Sequence, residues 1–345
     1  MSQCWTLPQS SHAVCSRGVA VHRSVSIGVD IGGTKTIAAA VDSDGQVLSH
    51  RFVPTPTTST DDLIEAVVAV VDLARAATPH ASLAPESVVP VGIGVAGLID
   101  GNGGRVLVAP HLPLDGVDLA RRLGERLGRV DAVYNDATAA AWAEWKFGAA
   151  QGAANTVVLT VGTGLGGGIV MAGQLVVGQR GLAGEFGHRV HVPDGRDCAC
   201  GSHGCWERYA SGTALTLQAR DAINHGAQSS LVREFADQPE QLRGEDVTRH
   251  AMAGDALAIG LLAAIGEELG RGLRDVIAML DPAVVVVGGG VSAAGDLVLE
   301  PARRAMAAGL IGGPDRVVPP LVVAATGALA VSIGAADLAH AQVAS

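Results

Sequence analysis

Val25-Ser26-Ile27-Gly28-Val29-Asp30-Ile31-Gly32-Gly33-Thr34-Lys35 opens the readable part of this chain as a β-branched run that reaches Asp30 and Ile31 and breaks at a glycine pair. Thr36 to Val41 resumes as strand, Asp42-Ser43-Asp44-Gly45 carries turn chemistry, and Gln46 to Phe52 reads as the third strand of a meander. Gly32, Gly33 and Thr34 therefore sit at a hairpin tip, where backbone N–H groups and a hydroxyl stand clear of side chains and phosphate oxygens could approach. This is neither a Walker loop, which needs Gly-x4-Gly-Lys-Ser/Thr opening a helix, nor Gly-x-Gly-x-x-Gly. Alone, such a tip is an ordinary hairpin turn about as often as a phosphate site. The same order returns later: Thr156 to Val161 as strand, a turn from Gly162 to Gly168 with Thr163 and Gly164 in it, and Ile169 to Gly178 as further strand. Two such hairpins point to an internally duplicated fold with two facing phosphate loops.

The segments between and after them alternate helix and strand. Asp61 to Ala77 is an amphipathic helix and Val88 to Val95 a buried strand that opens into a flexible loop at Gly97. Val117 to Leu127 is helical, and the short strand Val130 to Tyr134 delivers Asn135 and Asp136 at its carboxyl end, before a helix over Ala137 to Phe147. Ligands of open α/β sheets bind beyond the carboxyl ends of strands, which places Asp136 for chemistry. By position alone, however, an aspartate there reads first as a helix cap. Further on, Tyr209 to His225 is helical, Leu231 to Thr248 reads as a variable surface segment, and Asp255 to Leu280 is the longest helix, stopped at Asp281-Pro282. Ala283 to Val287 is a strand running into Gly288-Gly289-Gly290, a third glycine turn where backbone could lie against a flat ligand such as adenine. Pro301 to Ala308, Leu321 to Ala324 and Gly327 to Ala339 read as helix, strand and helix.

Between the second hairpin and these helices lies Gly184-Glu185-Phe186-Gly187-His188, then Cys198-Ala199-Cys200-Gly201-Ser202-His203-Gly204-Cys205-Trp206-Glu207. Three cysteines and one imidazole make a closed tetrahedral set of the kind structural zinc prefers. Gly201 and Gly204 permit the tight turns that return Cys205 beside Cys200. Three free thiols could instead be buried as small hydrophobes, but their spacing and flanking glycines read better as a metal site. His203 and His191 rival His188 as the nitrogen donor. Glu185 and Glu207 bracket the loop, and carboxylates held this way suit a polyhydroxylated ligand; as solvated surface glutamates they would need none.

Composition sets the bounds. A chain of 345 residues, 48% apolar but only 3% aromatic, has room for two domains with cores of Val, Ala, Leu and Ile, and the class it fits is α/β. A net charge of −10 without a Lys/Arg run argues against nucleic-acid binding, and no apolar stretch is long enough to span a bilayer. Residues 1–23 lack the apolar core of a signal peptide and read as a disordered tail or an over-extended start. Reduced thiols and the missing signal make a cytoplasmic location the expectation.

Asp30 to Lys35, Asn135-Asp136, the Gly162 to Gly168 turn, Gly184 to His188 and Cys-x-Cys-Gly-x-x-Gly-Cys-x-Glu from Cys198 to Glu207 stand in the order in which the ROK family carries them, and from about Ser24 onward the chain resembles that family of sugar kinases and related repressors. The resemblance implies an actin-like, ribonuclease-H-like ATPase fold of two α/β domains around a cleft, with a structural zinc loop. It divides the chain into a small domain of 24–134 plus 326–345 and a large domain of 135–325. It implies ATP-dependent phosphorylation of a hexose, glucose first, at the 6-hydroxyl, with Asp136 as general base. Gly97, Asn135, Asp136, Glu185, His188 and Glu207 would face the sugar. Asp30, Gly32, Gly33, Thr34 and Lys35, with Gly162, Thr163, Gly164, Gly288, Gly289 and Gly290, would serve ATP and Mg²⁺. His188, Cys198, Cys200 and Cys205 would hold Zn²⁺, with the second nitrogen of His188 toward the sugar. A homodimer or homotetramer is also implied. The chain departs from the family at His111 and Thr138, where the family commonly has Asn; both bear on the choice of glucose over another hexose or an N-acetylhexosamine. The family's repressors carry a winged helix-turn-helix before the first loop, and only 29 residues precede Asp30, so repression is the minor expectation, as is a non-catalytic sugar sensor.

Overall fold

The computed structural model describes residues 24–79, 89–101, 104–312 and 316–344; the tail expected over 1–23 lies outside them. The first half comprises β1 (Val25–Ile31), β2 (Lys35–Asp42), β3 (Val47–Pro54), α1 (Thr60–Ala77), β4 (Val91–Val95), a small hairpin of β5 (Leu98–Ile99) and β6 (Val106–Val108), α2 (Leu119–Leu127) and β7 (Ala132–Asn135). Helix α3 (Asp136–Phe147) leads into β8 (Thr156–Val161), β9 (Leu165–Met171) and β10 (Gln174–Leu175). Then come α4 (Gly212–Asn224), α5 (Ser230–Phe235), α6 (Gly244–Met252), α7 (Ala256–Leu280), β11 (Val284–Gly288), α8 (Asp296–Ala307), β12 (Leu321–Val323) and α9 (Ala330–Ala344).

The duplication is visible in the sheets. One has the order β3-β2-β1-β4-β7 and the other β10-β9-β8-β11-β12, so each is an antiparallel meander extended by two strands parallel to its first. The two glycine tips occupy equivalent places, Ile31 pairing with Thr36 and Val161 with Leu165. The second turn is shorter than its glycine content implied: Leu165 to Gly168 already belong to β9, which ends at Met171.

Each lobe has its own core, one around β1, β4, α1 and α2 and the other around β8, β11 and α7. Helix α7 buries Ala258, Leu262, Ile265, Leu269, Leu273 and Val276 along one stripe at helical spacing. Asp255 caps its first turn, and Asp281 ends it in the left-handed region with φ 42°.

Two helices cross between the lobes. α9 lies on the first sheet where a Cβ on Gly28 or Gly92 would stand 1.7 Å and 1.9 Å from the carbonyl oxygens of Ser332 and Ala335, so only glycine lets helix and strand backbones come this close. α3, rich in alanine, packs against α9 on one side and β8 and β9 on the other. Glu144 of α3, 1% exposed, accepts from the N–H groups of Ala149, Ala325 and Thr326, tying the crossing to the entrance of α9.

The sequence reading of the segment leading into α6 is overturned. The segment from Leu231 to Thr248, expected as variable surface, contains α5 and the start of α6, and Leu231, Leu242 and Val247 are no more than 1% exposed in the second core. Its polar residues hid apolar positions too widely spaced to register as a stripe. Among the described residues no helix is long and apolar enough to cross a membrane.

Candidate active site

The site begins at the carboxyl end of β7. The Asn135 side chain accepts from Thr138 N–H at 3.1 Å, so Asn135 is the cap of α3 and Asp136 its first helical residue; capping by Asp136, favoured on position alone, is corrected. The amide nitrogen of Asn135 donates to Gly97 carbonyl at 3.1 Å, joining the loop after β4 to the same end of the sheet. Asp136 accepts from Ala137 N–H at 2.9 Å. Burial nevertheless raises its pKa above the usual carboxylate range, against that hydrogen bond.

Asp30 stands at the end of β1 with its carboxyl pushed up to about 7, first by burial and then by the charge of Asp136, Lys35 pulling the other way. Glu185 is raised as well, chiefly by burial, with Asp136 and Glu207 adding to it and His188 opposing it. Asp30, Asp136, Glu185 and Glu207 thus form one electrostatically connected set gathered from both lobes. Within it, His188 Nε2 lies 4.0 Å from Glu185 Oε2.

The other face of His188 belongs to the cysteines. Its Nδ1 is 3.7 Å from Cys198 Sγ, the sulfurs of Cys200 and Cys205 are 3.6 Å apart, and all four donor atoms lie within 4.8 Å of one another. The rival imidazoles are engaged elsewhere: His191 binds Glu268 at 2.7 Å and Arg189 at 3.2 Å, and His203 binds Asp197 at 2.8 Å. Burial pushes the Cys198 thiol up to about 12, and Glu207 Oε1 lies 3.2 Å from its sulfur. A cation among these donors would lift that penalty, and Cys3His is a set that fits zinc. Trp206, fully buried, anchors the loop by donating to the Glu268 carbonyl of α7 at 2.9 Å.

Of the phosphate candidates, Gly32 N–H closes its turn on Lys35 carbonyl at 3.2 Å, and Gly33 faces the Cβ of His111 at 3.4 Å from its own Cβ position. Gly164 faces Glu207, 2.9 Å from its Cβ position, which brings the second glycine tip onto the Glu207 carboxylate. Gly162, Thr163 and Gly290 line a cavity of about 570 Å³ with Gly212, Leu215, Leu242, Gly244, Glu245 and Val291. Gly289 is exposed but turns its Cβ position to within 2.5 Å of the Val161 carbonyl oxygen, and Gly288 abuts Ala324; neither is among the residues lining that cavity. Its α4 and α6 walls were missed from the sequence. Thr216 and Thr248 donate to carbonyls of their own helices, Gly212 at 2.9 Å and Gly244 at 3.2 Å, and Ser211, the cap of α4, was the one local signal.

Two duplicated sheets, each an antiparallel meander with parallel additions, crossed by α3 and α9 and carrying glycine tips over clustered carboxylates, define the actin-like ATPase fold. Residues 26–342 match the ROK family, and the chain belongs to it. It is 40% identical over 318 residues to a glucokinase of Streptomyces coelicolor, covering 92% of this chain and 98% of that one. A crystal structure of a ROK family glucokinase from Streptomyces griseus in complex with glucose and AMPPNP aligns with a TM-score of 0.82 and 39% identity, covering 92% of this chain and 100% of that one. An N-acetylmannosamine kinase from Citrobacter koseri is 34% identical over 270 residues, covering 78% of this chain and 84% of that one.

Proposed function

We propose that this sugar kinase of the ROK family transfers the γ-phosphoryl group of ATP to the 6-hydroxyl of a hexose, with glucose as the preferred acceptor. The observation that carries the reading is the meeting of Asp136, Glu185, Glu207 and His188 in one charge-coupled cluster beside the second glycine tip. The similarity to two Streptomyces glucokinases over nearly the whole chain supports glucose among hexoses.

In this reading Glu185, Glu207, Asn135, the Gly97 backbone and Nε2 of His188 hold the sugar hydroxyls, and bidentate carboxylates fix the ring's orientation. Asp136 accepts the proton of the 6-hydroxyl as its oxygen bonds to the γ-phosphorus and ADP leaves; the proton later passes to solvent. A raised carboxyl is a better base than an ordinary one, and such a base contributes on the order of 10²–10⁴-fold. Backbone donors of the Gly32-Gly33-Thr34 and Gly162-Thr163-Gly164 turns, other than the Gly32 and Gly162 N–H groups that close on Lys35 and Gly164 carbonyls, receive phosphate oxygens. Asp30, beside Asp136 and disfavoured as a bare anion, with Thr34, would hold Mg²⁺, which neutralises phosphate charge when bound. His188, Cys198, Cys200 and Cys205 would hold a structural Zn²⁺ that stiffens the loop carrying Glu207. The cavity bounded by α4 and α6 is apolar enough for adenosine, which favours a nucleotide over polyphosphate as donor.

The test is ADP release with ATP and glucose, mannose, N-acetylglucosamine or N-acetylmannosamine. Glucose should give the highest kcat/KM, and Asp136→Ala should lower kcat at least about 10²-fold while glucose still binds by calorimetry. An active Asp136→Ala protein removes the assignment of the base; a preference for N-acetylmannosamine moves the acceptor to the hexosamines.

A further inference from the structure

The two walls of the sugar pocket come from different lobes, and they touch where neither has a side chain. Gly181, with φ 75°, follows β10 in the second lobe and precedes Glu185 by four residues. A Cβ there would stand 2.2 Å from the Ile99 carbonyl oxygen and 2.7 Å from Gly101 N, and a Cβ on Gly101 would stand 2.9 Å from Gly181 N. Every atom met is backbone, so no rotamer change could relieve the crowding. On one side the Ile99 to Gly101 loop continues from Gly97, which is bonded to Asn135. On the other, Gly184 is pinned on β9, its Cβ position 2.6 Å from Gly167 carbonyl. The same loops and Asn135 also wall a cavity of about 300 Å³ that reaches the first residues of α3.

We propose that Gly101 and Gly181 form a backbone clasp between the lobes that sets the gap between Gly97 and Asn135 on one wall of the sugar pocket and Glu185 and His188 on the other. Both glycines are positioning residues for the sugar, and the inference rests on the sugar-kinase reading of that pocket. An ordinary carbon–oxygen contact is about 3.3 Å, so a methyl group on Gly181 displaces one wall by about 1 Å, and close-packed backbone passes the strain on. Displacement of that size costs up to about 10²-fold where substrate must be held in register.

The experiment compares Gly181→Ala and Gly101→Ala with Gly152→Ala. Gly152 shares the positive φ, at 85°, but has open space around its Cβ position, so it carries the backbone strain without the clasp. Gly101 lies outside the positive-φ glycines, so its substitution tests the clasp without that strain. Sugar KM is expected to rise about tenfold or more in both clasp variants, and hydrogen exchange of sugar-free protein to quicken over residues 98–101 and 178–184; Gly152→Ala should match wild type in both. Clasp variants with the KM and exchange of Gly152→Ala overturn the proposal. If wild type phosphorylates none of the four sugars, the kinase reading falls, and exchange at the two loops alone decides the clasp.

Discussion

Replacing Asp30 with Asn should make the nucleotide-free protein more stable at neutral and alkaline pH. Burial and the neighbouring Asp136 charge raise this carboxyl from 3.8 to about 7. Its folded pKa lies above its unfolded one, so between those two values the folded chain holds a proton the unfolded chain has lost. Its contribution is therefore most favourable at the acid end, is lost as pH rises through about 7, and is flat above. At about 1.4 kcal/mol per pH unit over roughly three units, the ionised carboxyl costs on the order of 4 kcal/mol at pH 8. Asp30→Asn removes that cost. Urea denaturation at constant ionic strength from about pH 5 to about pH 8, without magnesium or nucleotide, should show the variant's advantage growing with pH to a few kcal/mol. The gain should come with loss of phosphoryl transfer, since a group kept against stability belongs to a functional site. A wild-type-to-variant difference that stays constant across that range would refute the reasoning, because it would mean Asp30 titrates alike in both states.

Zinc should copurify at about one ion per chain, and Cys198→Ala or chelation should raise the KM for the sugar while leaving the KM for ATP nearly unchanged, because Cys198 adjoins Glu207 and His188; active protein without zinc in elemental analysis contradicts this. Leu231→Ala, at a fully buried position in the second core, should cost about 3 kcal/mol in denaturant melts, whereas a surface segment would tolerate it within about 0.5 kcal/mol.

Much of the fold is local in origin and so was legible. Strand, glycine tip and strand at Val25 to Val41 and again from Thr156 announce two hairpins because β-branched runs and turn residues act over a few positions. The Cys198 to Glu207 spacing likewise places three sulfurs within one short loop. Helix α7 declares itself through its stripe and its Asp255 and Asp281 ends. The polar stretch around α5 did not, since its buried leucines are recognisable only against α4 and α7.

Sequence by itself determined the duplicated meander, the glycine tips, the three clustered cysteines and the candidates Asp30, Asp136, Glu185 and Glu207. Tertiary structure alone decided which imidazole joins the cysteines, because His191 and His203 are claimed by Glu268 and Asp197, partners 77 and 6 residues away. It also decided that the Cβ position of Gly289 is turned against the Val161 carbonyl. The same holds for the contact of Gly101 with Gly181. These outcomes depend on which side chain or backbone the folded chain brings beside a residue, and packing settles that rather than the composition of a local run of residues.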